Sequence, residues 1–266
     1  MQNKFEFYET AIRQTIPNVY RISLPTIRGN KDNVLFAQTT YGAHYTFKFN
    51  GFDSAMRNSS VSHALINAKI PVPDIHVFQC DGQWFEGYPT LRGDTLYECV
   101  GHGATKTELE SIYHQAVYYL GQMSQIDYSN IDFGNLKYAH QSARNDTANT
   151  NGAIIGNLTA MFVGIMNIGM PASYGLYHHG MTPKNILVSP KGIITGLLDI
   201  DEVSVCNKNY AFGVLAAKAT LIGMNINALC SKYESITGQK LNHRQISAIV
   251  AIQNMGRNIL HKTKSK

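Results

Sequence analysis

Residues 178–201 read HHGMTPKNILVSPKGIITGLLDID, and the fold is decided here. Two strand-like runs, NILV (185–188) and IITGLLDI (193–200), flank Ser189-Pro190-Lys191-Gly192, a turn signal that predicts a short hairpin. Asn185 and Asp199 stand at its facing ends. An amide oxygen and a carboxylate so placed are hard donors that suit a Mg²⁺ ion keeping several of its waters.

Working outward, the first half of the chain reads as strands and turns. NVLFAQTT (33–40) and HYTFKF (44–49) are joined by Tyr41-Gly42-Ala43, a hairpin signal. FDSAMRNSSVSHALINAK (52–69) carries Ala55, Val61, Leu65 and Ile66 at roughly helical spacing. IPVPDIHVFQ (70–79) and QWFEGYPTL (83–91) read as two further strands. The second half is mostly helical. Residues 105–127 open on Thr105 or Thr107 as N-cap and place Leu109, Ile112, Val117, Leu120 and Met123 on one face. NHRQISAIVAIQNMGRNIL (242–260) is amphipathic as well. The pattern predicts an α+β, two-lobed cleft protein, with a β-rich lobe over 1–92 and a helical lobe over 93–266.

Composition narrows the classes. The chain has 266 residues, of which 44% are hydrophobic and 15% charged, the balance of a globular protein. Cys80, Cys99, Cys206 and Cys230 are scattered, with no CxxC pair, which fits reduced thiols in a cytoplasmic protein. MQNKFEFYET lacks the apolar run of a signal peptide. From Thr147 to Tyr177 there is no charged side chain, but asparagines, glycines and Pro171 interrupt the stretch, so a helix buried in a lobe is expected and not a membrane span. The net charge is +5, yet no aromatic residues are interleaved with the basic ones, so no nucleic-acid partner is expected.

Several pieces together resemble the aminoglycoside phosphotransferase and choline kinase-like family over essentially the whole chain. They are GNKDN (29–33), YTFKF with Lys48, KIPVPDI (69–75), YPTLRGDTL (88–96), LGQMSQID (120–127), TPKNILV (182–188), GLLDIDEV (196–203) and YESITGQKL (233–241). The resemblance implies a protein kinase-like fold, ATP and Mg²⁺ as cofactors, and a small hydroxylated molecule as substrate. It implies that Lys48 holds the nucleotide phosphates, that Asn185 and Asp199 ligate the metal, and that the backbone from Glu86 through Tyr88 to Pro89 faces the adenine. Gly29 and Asn33 would let backbone amides approach the phosphates.

The departures from the family pattern are specific. The family's catalytic loop begins His-Gly-Asp, with the Asn five residues after the Asp; counting back from Asn185 places Gly180 where the carboxylate belongs. Pairing His179-Gly180 with the family's His-Gly puts Met181 there instead, which also lacks a carboxylate. RNSSVSH (57–63) lacks the Glu that should pair with Lys48, Asn58 lying nearest, and the acids that usually follow the hairpin appear as Asn207 and Ala211. Losing a positioned base costs roughly 10²–10⁴-fold rather than all activity. Three readings follow: a kinase with a substitute base, a nucleotide-binding pseudokinase that scaffolds or regulates, or a disabled variant. Asp201, two residues after Asp199 and on the same face of an extended strand, and His178 are the candidate bases. After Asp201 only Glu202 and Glu234 are acidic, against nine Lys and Arg, which favours a neutral or anionic substrate over a polycation. Asp132-Phe133-Gly134 precedes the hairpin and is read as coincidence, and Tyr118-Tyr119 as core packing.

Overall fold

The computed structural model describes residues 4–25, 33–133 and 174–264, with side chains up to 254. Gly29 and most of the uncharged stretch 147–177 lie outside the described residues.

Helix α1 (Lys4–Thr15) packs Ala11 and Ile12 beneath a five-stranded antiparallel sheet of order β1-β2-β3-β5-β4. Its strands are β1 (Val19–Ser23), β2 (Val34–Thr39), β3 (His44–Lys48), β4 (His76–Cys80) and β5 (Gln83–Pro89). The β2–β3 turn relies on Gly42 at φ 80°, with Ala43 N donating to Thr39 Oγ1 at 3.1 Å. In the β4–β5 hairpin Asp81 and Gly82 both take positive φ, 46° and 74°, as a two-residue turn matching the strand twist requires. Leu35, Phe47, Phe49 and Phe85 fill this core, and the rings of Phe49 and Phe85 stack at 4.7 Å.

Helix α2 (Phe52–Asn67) buries Ala55, Asn58, Val61, Ser62 and Leu65 on one face, at i, i+3 and i+4 spacing. Val61 and Leu65 belong to the second, larger core with Ile70, Val72 and Ile75, so the two cores do not divide at one point of the chain. Ser62 is satisfied on the carbonyl of Pro73, and Ser59 on that of Ile75 at 2.9 Å.

The larger core is built around helices. Capping boxes open α3 (Leu96–Gly101), through Thr95 and Glu98, and α4 (Lys106–Met123), through Thr105 and Glu108. The buried stripe of α4 runs through Leu109, Ile112, Ala116, Leu120 and Met123. Tyr118 falls off that stripe and is 46% exposed, whereas Tyr119 packs partly buried against the larger core, so of the tyrosine pair expected in the core only Tyr119 meets it; the two rings lie edge to face at 5.5 Å. The hairpin is β8 (Ile186–Val188) and β9 (Ile194–Leu197), extended by β6 (Asp94–Thr95) beside β8. Strands β7 (Tyr174–His178) and β10 (Val203–Asn207) pair antiparallel across it. Helix α5 (Lys208–Ala219) is buried almost all round, and Asn207 caps it by accepting from Asn209 N at 2.8 Å. With α6 (Ile226–Thr237) and α7 (His243–Lys264) it completes the helical region. Ala211 lies in its buried wall. No helix among the described residues is long and apolar enough to cross a membrane.

Candidate functional site

The β7–β10 pair brings the two ends of the segment 178–201 together. His178 lies opposite Val203, and His179 N donates to Glu202 O at 3.0 Å. Between these ends run the loop 179–185, the hairpin and the 3-10 turn Ile200–Glu202. Asn185 is held at the hairpin's start: its Nδ2 donates to Gly180 O at 2.9 Å, and its carbonyl accepts from Leu198 N at 2.8 Å. Asp199 takes a left-handed conformation, φ 63° and ψ 61°, uncommon for a residue with a Cβ though less so for Asp. The chain therefore turns at once into 200–202 and does not continue as a strand. Asp199 and Asp201 do not share a strand face, as the i, i+2 argument expected; the tight turn is what aims both carboxylates at Lys48.

Lys48 reaches this turn from β3. Its Nζ pairs with Asp201 Oδ2 and lies 3.7 Å from Asp199 Oδ1. Opposite Lys48 in the sheet register stands Glu86 of β5, only 2% exposed. Asn58 Nδ2 donates to Glu86 Oε2 at 2.8 Å and to Asp201 Oδ1 at 2.7 Å, and Asn50 Nδ2 donates to Glu86 Oε2 at 2.9 Å. Burial pushes the Glu86 carboxyl above the usual carboxylate range, opposed by the charge of Lys48 and the two amide bonds. Arg57, beside Asn58, bolts α2 to the turn. Its Nη1 donates to Asn58 Oδ1 at 2.9 Å, and its Nη2 to the carbonyls of Val203 and, at 3.4 Å, Asp201. Burial lowers its guanidinium to about 10, against the nearby charges of Glu202 and Glu86.

The acid missing from α2 thus has a counterpart on a strand. Asn58 takes the helix position, and Glu86 supplies the buried carboxylate from β5. Glu86 points its side chain at the Lys48 cluster. Tyr88 packs half-buried against the larger core, burial pushing its hydroxyl up. Asn33 spends its amide on Phe49 O at 3.1 Å, closing the end of β3.

The two candidate bases fare differently from expectation. His178 is fully buried; Gly180 N donates to its Nδ1 at 3.2 Å, which leaves Nε2 to donate to Leu198 O at 2.7 Å. Both ring nitrogens are spent within the loop, and burial lowers the ring's proton affinity. Asp201 is committed to Lys48 and Asn58. Met181 is 1% exposed, inside the larger core, and Gly180 beside it is buried as well. A Cβ built on Gly180 would lie 2.6 Å from Glu202 Cγ and 2.7 Å from its Cβ. Glu202 itself is held by His179 Nδ1 at 3.0 Å, and that bond, more than burial opposes it, keeps its carboxyl below the usual range. Sequence reasoning counted Glu202 only as one of the few late acids.

No protein-family model and no curated protein matches the chain by sequence. Solved structures do match by shape. A putative aminoglycoside phosphotransferase from Ralstonia eutropha superimposes with a TM-score of 0.65 at 15% identity, over 95% of this chain and 87% of that one. The fold is that of the aminoglycoside phosphotransferases. An aminoglycoside phosphotransferase solved with GDP and kanamycin gives 0.63 at 12% identity, covering 97% of this chain and 92% of its own. An amicoumacin kinase solved with AMP-PNP, Ca²⁺ and its substrate gives 0.64 at 10% identity, covering 99% and 89%. The β-sheet N-terminal region and helical C-terminal region of this chain match that fold.

Proposed function

We propose that this chain is an ATP-dependent phosphotransferase acting on the hydroxyl of a small molecule. The observation that carries the reading is the convergence of Lys48 from the sheet with Asp199 and Asp201 from the end of the hairpin. Phosphoryl transfer is catalysed mainly by positioning and by neutralising charge, and these groups supply both. The structural neighbours, among them an aminoglycoside phosphotransferase with GDP and an amicoumacin kinase with AMP-PNP, support nucleotide use by the shared fold.

The donor set fits a hard divalent cation. Asn185 has its Nδ2 tied to Gly180 O, which fixes the amide and leaves Oδ1 to ligate, and Asp199 supplies a carboxylate. These two would hold Mg²⁺, which when bound screens the charge on the β- and γ-phosphates. Lys48 binds the phosphates as a point charge, released from Asp201 as they arrive. The Asn58–Glu86–Asn50 bonds and Arg57 keep α2 and β5 in place around it. Between the lobes the expected boundary falls at 92/93, and the acceptor binds in the helical lobe.

Gly180 favours a second reading, a nucleotide-binding pseudokinase with a regulatory or scaffolding role, because the family's carboxylate is absent there. Thermal unfolding with ATP, with and without Mg²⁺, tests the premise both readings share. A ligand at a hundredfold its Kd adds about 2.7 kcal/mol, which raises Tm by several degrees. No shift in either condition sinks nucleotide binding. ADP release in the presence of kanamycin, or of neutral and anionic polyols, then separates kinase from pseudokinase and ranks substrates by charge.

A further inference from the structure

At the loop position where the fold's relatives are expected to carry a catalytic aspartate, this chain has not left a gap. The space over the Gly180 α-carbon is filled by the side chain of Glu202. Its Cβ, Cγ and Cδ lie 2.7, 2.6 and 3.2 Å from where a Cβ on residue 180 would sit. A carboxyl carbon on an aspartate there would stand about 1.5 Å from that Cβ, a single carbon–carbon bond away. The two carboxyl groups would therefore compete for adjoining space. Glycine at 180 and glutamate at 202 are complementary: only a residue without a Cβ admits this glutamate.

Three further features fix where that carboxyl is. The β7–β10 register sets Val203 against His178, and His179 N donates to Glu202 O at 3.0 Å, so the two backbones cannot slide. His179 Nδ1 holds a Glu202 carboxylate oxygen at 3.0 Å. Because a carboxylate only accepts, that nitrogen is the donor, and the ring, itself 9% exposed, acts as a fixed stay for the acid. The Glu202 side chain nevertheless remains 36% exposed, so it is not sealed off as Glu86 is, a residue only 2% exposed. The other acids and bases nearby have other tasks: His178 is spent within its loop, Asp201 is held by Asn58 and, until nucleotide arrives, by Lys48, and Asp199 lies beside Lys48 at the end of the hairpin.

We infer that Glu202 supplies, from the opposite strand, the carboxylate that aims the acceptor hydroxyl. The inference rests on the phosphotransferase reading. In the step it describes, the acceptor R–OH hydrogen-bonds to the Glu202 carboxylate. Its oxygen forms a bond to the γ-phosphorus of ATP while the bond from that phosphorus to the β–γ bridging oxygen breaks. ADP leaves with that electron pair, the hydroxyl proton passes to Glu202, and solvent later removes it. The products are the phosphorylated acceptor and ADP.

The test uses the full chain with Mg²⁺ and ATP, kanamycin or water as acceptor, and two readouts: ADP release, and the Tm shift caused by MgATP. The variants are Glu202→Gln, Glu202→Gly and Gly180→Asp/Glu202→Gly, glycine being needed at 202 because its Cβ alone would lie 2.7 Å from that of residue 180. Glu202→Gln keeps an oxygen for His179 and is expected to lower kcat by roughly 10²–10⁴-fold, the usual worth of a positioned base, with the MgATP shift unchanged. The double variant returns a carboxylate from the loop side and is expected to recover at least tenfold over Glu202→Gly, which a merely structural glutamate would not allow. The inference is overturned if Glu202→Gln stays within twofold of the native chain, or if its MgATP shift collapses along with its rate. It is equally overturned if the double variant gains nothing, or if the native chain binds MgATP and releases no ADP. Absence of any MgATP shift in the native chain instead overturns the phosphotransferase reading beneath it.

Discussion

A methyl group added at Gly180 meets Glu202 Cγ at 2.6 Å, and the neighbouring strand pair leaves little freedom to relieve that contact. Overpacking of this kind typically costs about 1–3 kcal/mol. Gly180→Ala is therefore expected to lower Tm measurably, and Gly180→Ala/Glu202→Gly, which removes both the Cβ at 2.7 Å and the Cγ at 2.6 Å, to recover most of the loss, because the clash is a pairwise effect. Calorimetry on the single and double variants checks this; additive losses would show that the two residues do not share the space. Asn58 offers a second residue-scale test. It serves two acids at once, Glu86 at 2.8 Å and Asp201 at 2.7 Å. Asn58→Leu leaves Glu86 Oε2 with Asn50 alone, takes the amide donor from Asp201 Oδ1 and removes the amide oxygen that Arg57 donates to, at about 1–3 kcal/mol for a group left unsatisfied. Denaturant unfolding should show a clear drop in midpoint with little change in slope. A stability within 0.5 kcal/mol of the native chain, roughly the scatter of ordinary surface substitutions, would exclude the bridging role.

Among the elements, what the sequence made legible was what local signals encode. The hairpin of β8 and β9, helix α2, the Thr105 cap and the strand carrying Lys48 all follow from turn residues, periodicity and capping chemistry within a few residues of each other. The β7–β10 pair did not, because YGLYH and VSVCN are brought together only by the whole intervening segment, and a short apolar run does not announce its partner. For the same reason the missing acid on α2 was visible as a gap at Asn58, while its replacement was not. Glu86 becomes a neighbour of Lys48 only once β3 is known to pair with β5 and not with β4. Glu202 was hidden likewise, since its closeness to Gly180 is a matter of cross-strand register. The β5 element carries its own pH signature. With its folded-state carboxyl raised above the unfolded value near 4.5, Glu86 favours the folded protein fully below that value. The contribution is then lost as pH rises through the folded-state value. Urea midpoints measured upward from pH 4 should therefore show a declining component that Glu86→Gln abolishes. An identical slope in the variant would remove Glu86 as its source.

Across the whole molecule, the smaller core under the sheet and the larger helical core are joined at the site by an ion pair from Lys48 to the turn, as well as by the packing of α2. Lys48 is nearly covered, with its side chain 11% exposed, whereas Asp201 is 36% exposed, so the pair lies between a surface bridge and a buried one. Without nucleotide, Asp201 satisfies the lysine and holds the two regions together. With nucleotide, a phosphate must take its place, and binding is weakened by whatever the pair contributes. A partly exposed bridge is worth up to about 1 kcal/mol, equivalent to roughly a fivefold change in affinity. Asp201→Asn removes the competing charge while keeping an oxygen for Asn58 to donate to. It is expected to tighten ATP binding by about that factor when affinity is measured in EDTA, where no metal contact of Asp201 can contribute, and Lys48→Ala is expected to weaken binding in the same buffer. Raising the salt concentration should narrow the difference between Asp201→Asn and the native chain, since a partly exposed bridge is screened. Isothermal titration in EDTA at two ionic strengths decides the matter: weaker binding by Asp201→Asn would mean that this carboxylate orders the nucleotide site and does not hold it closed.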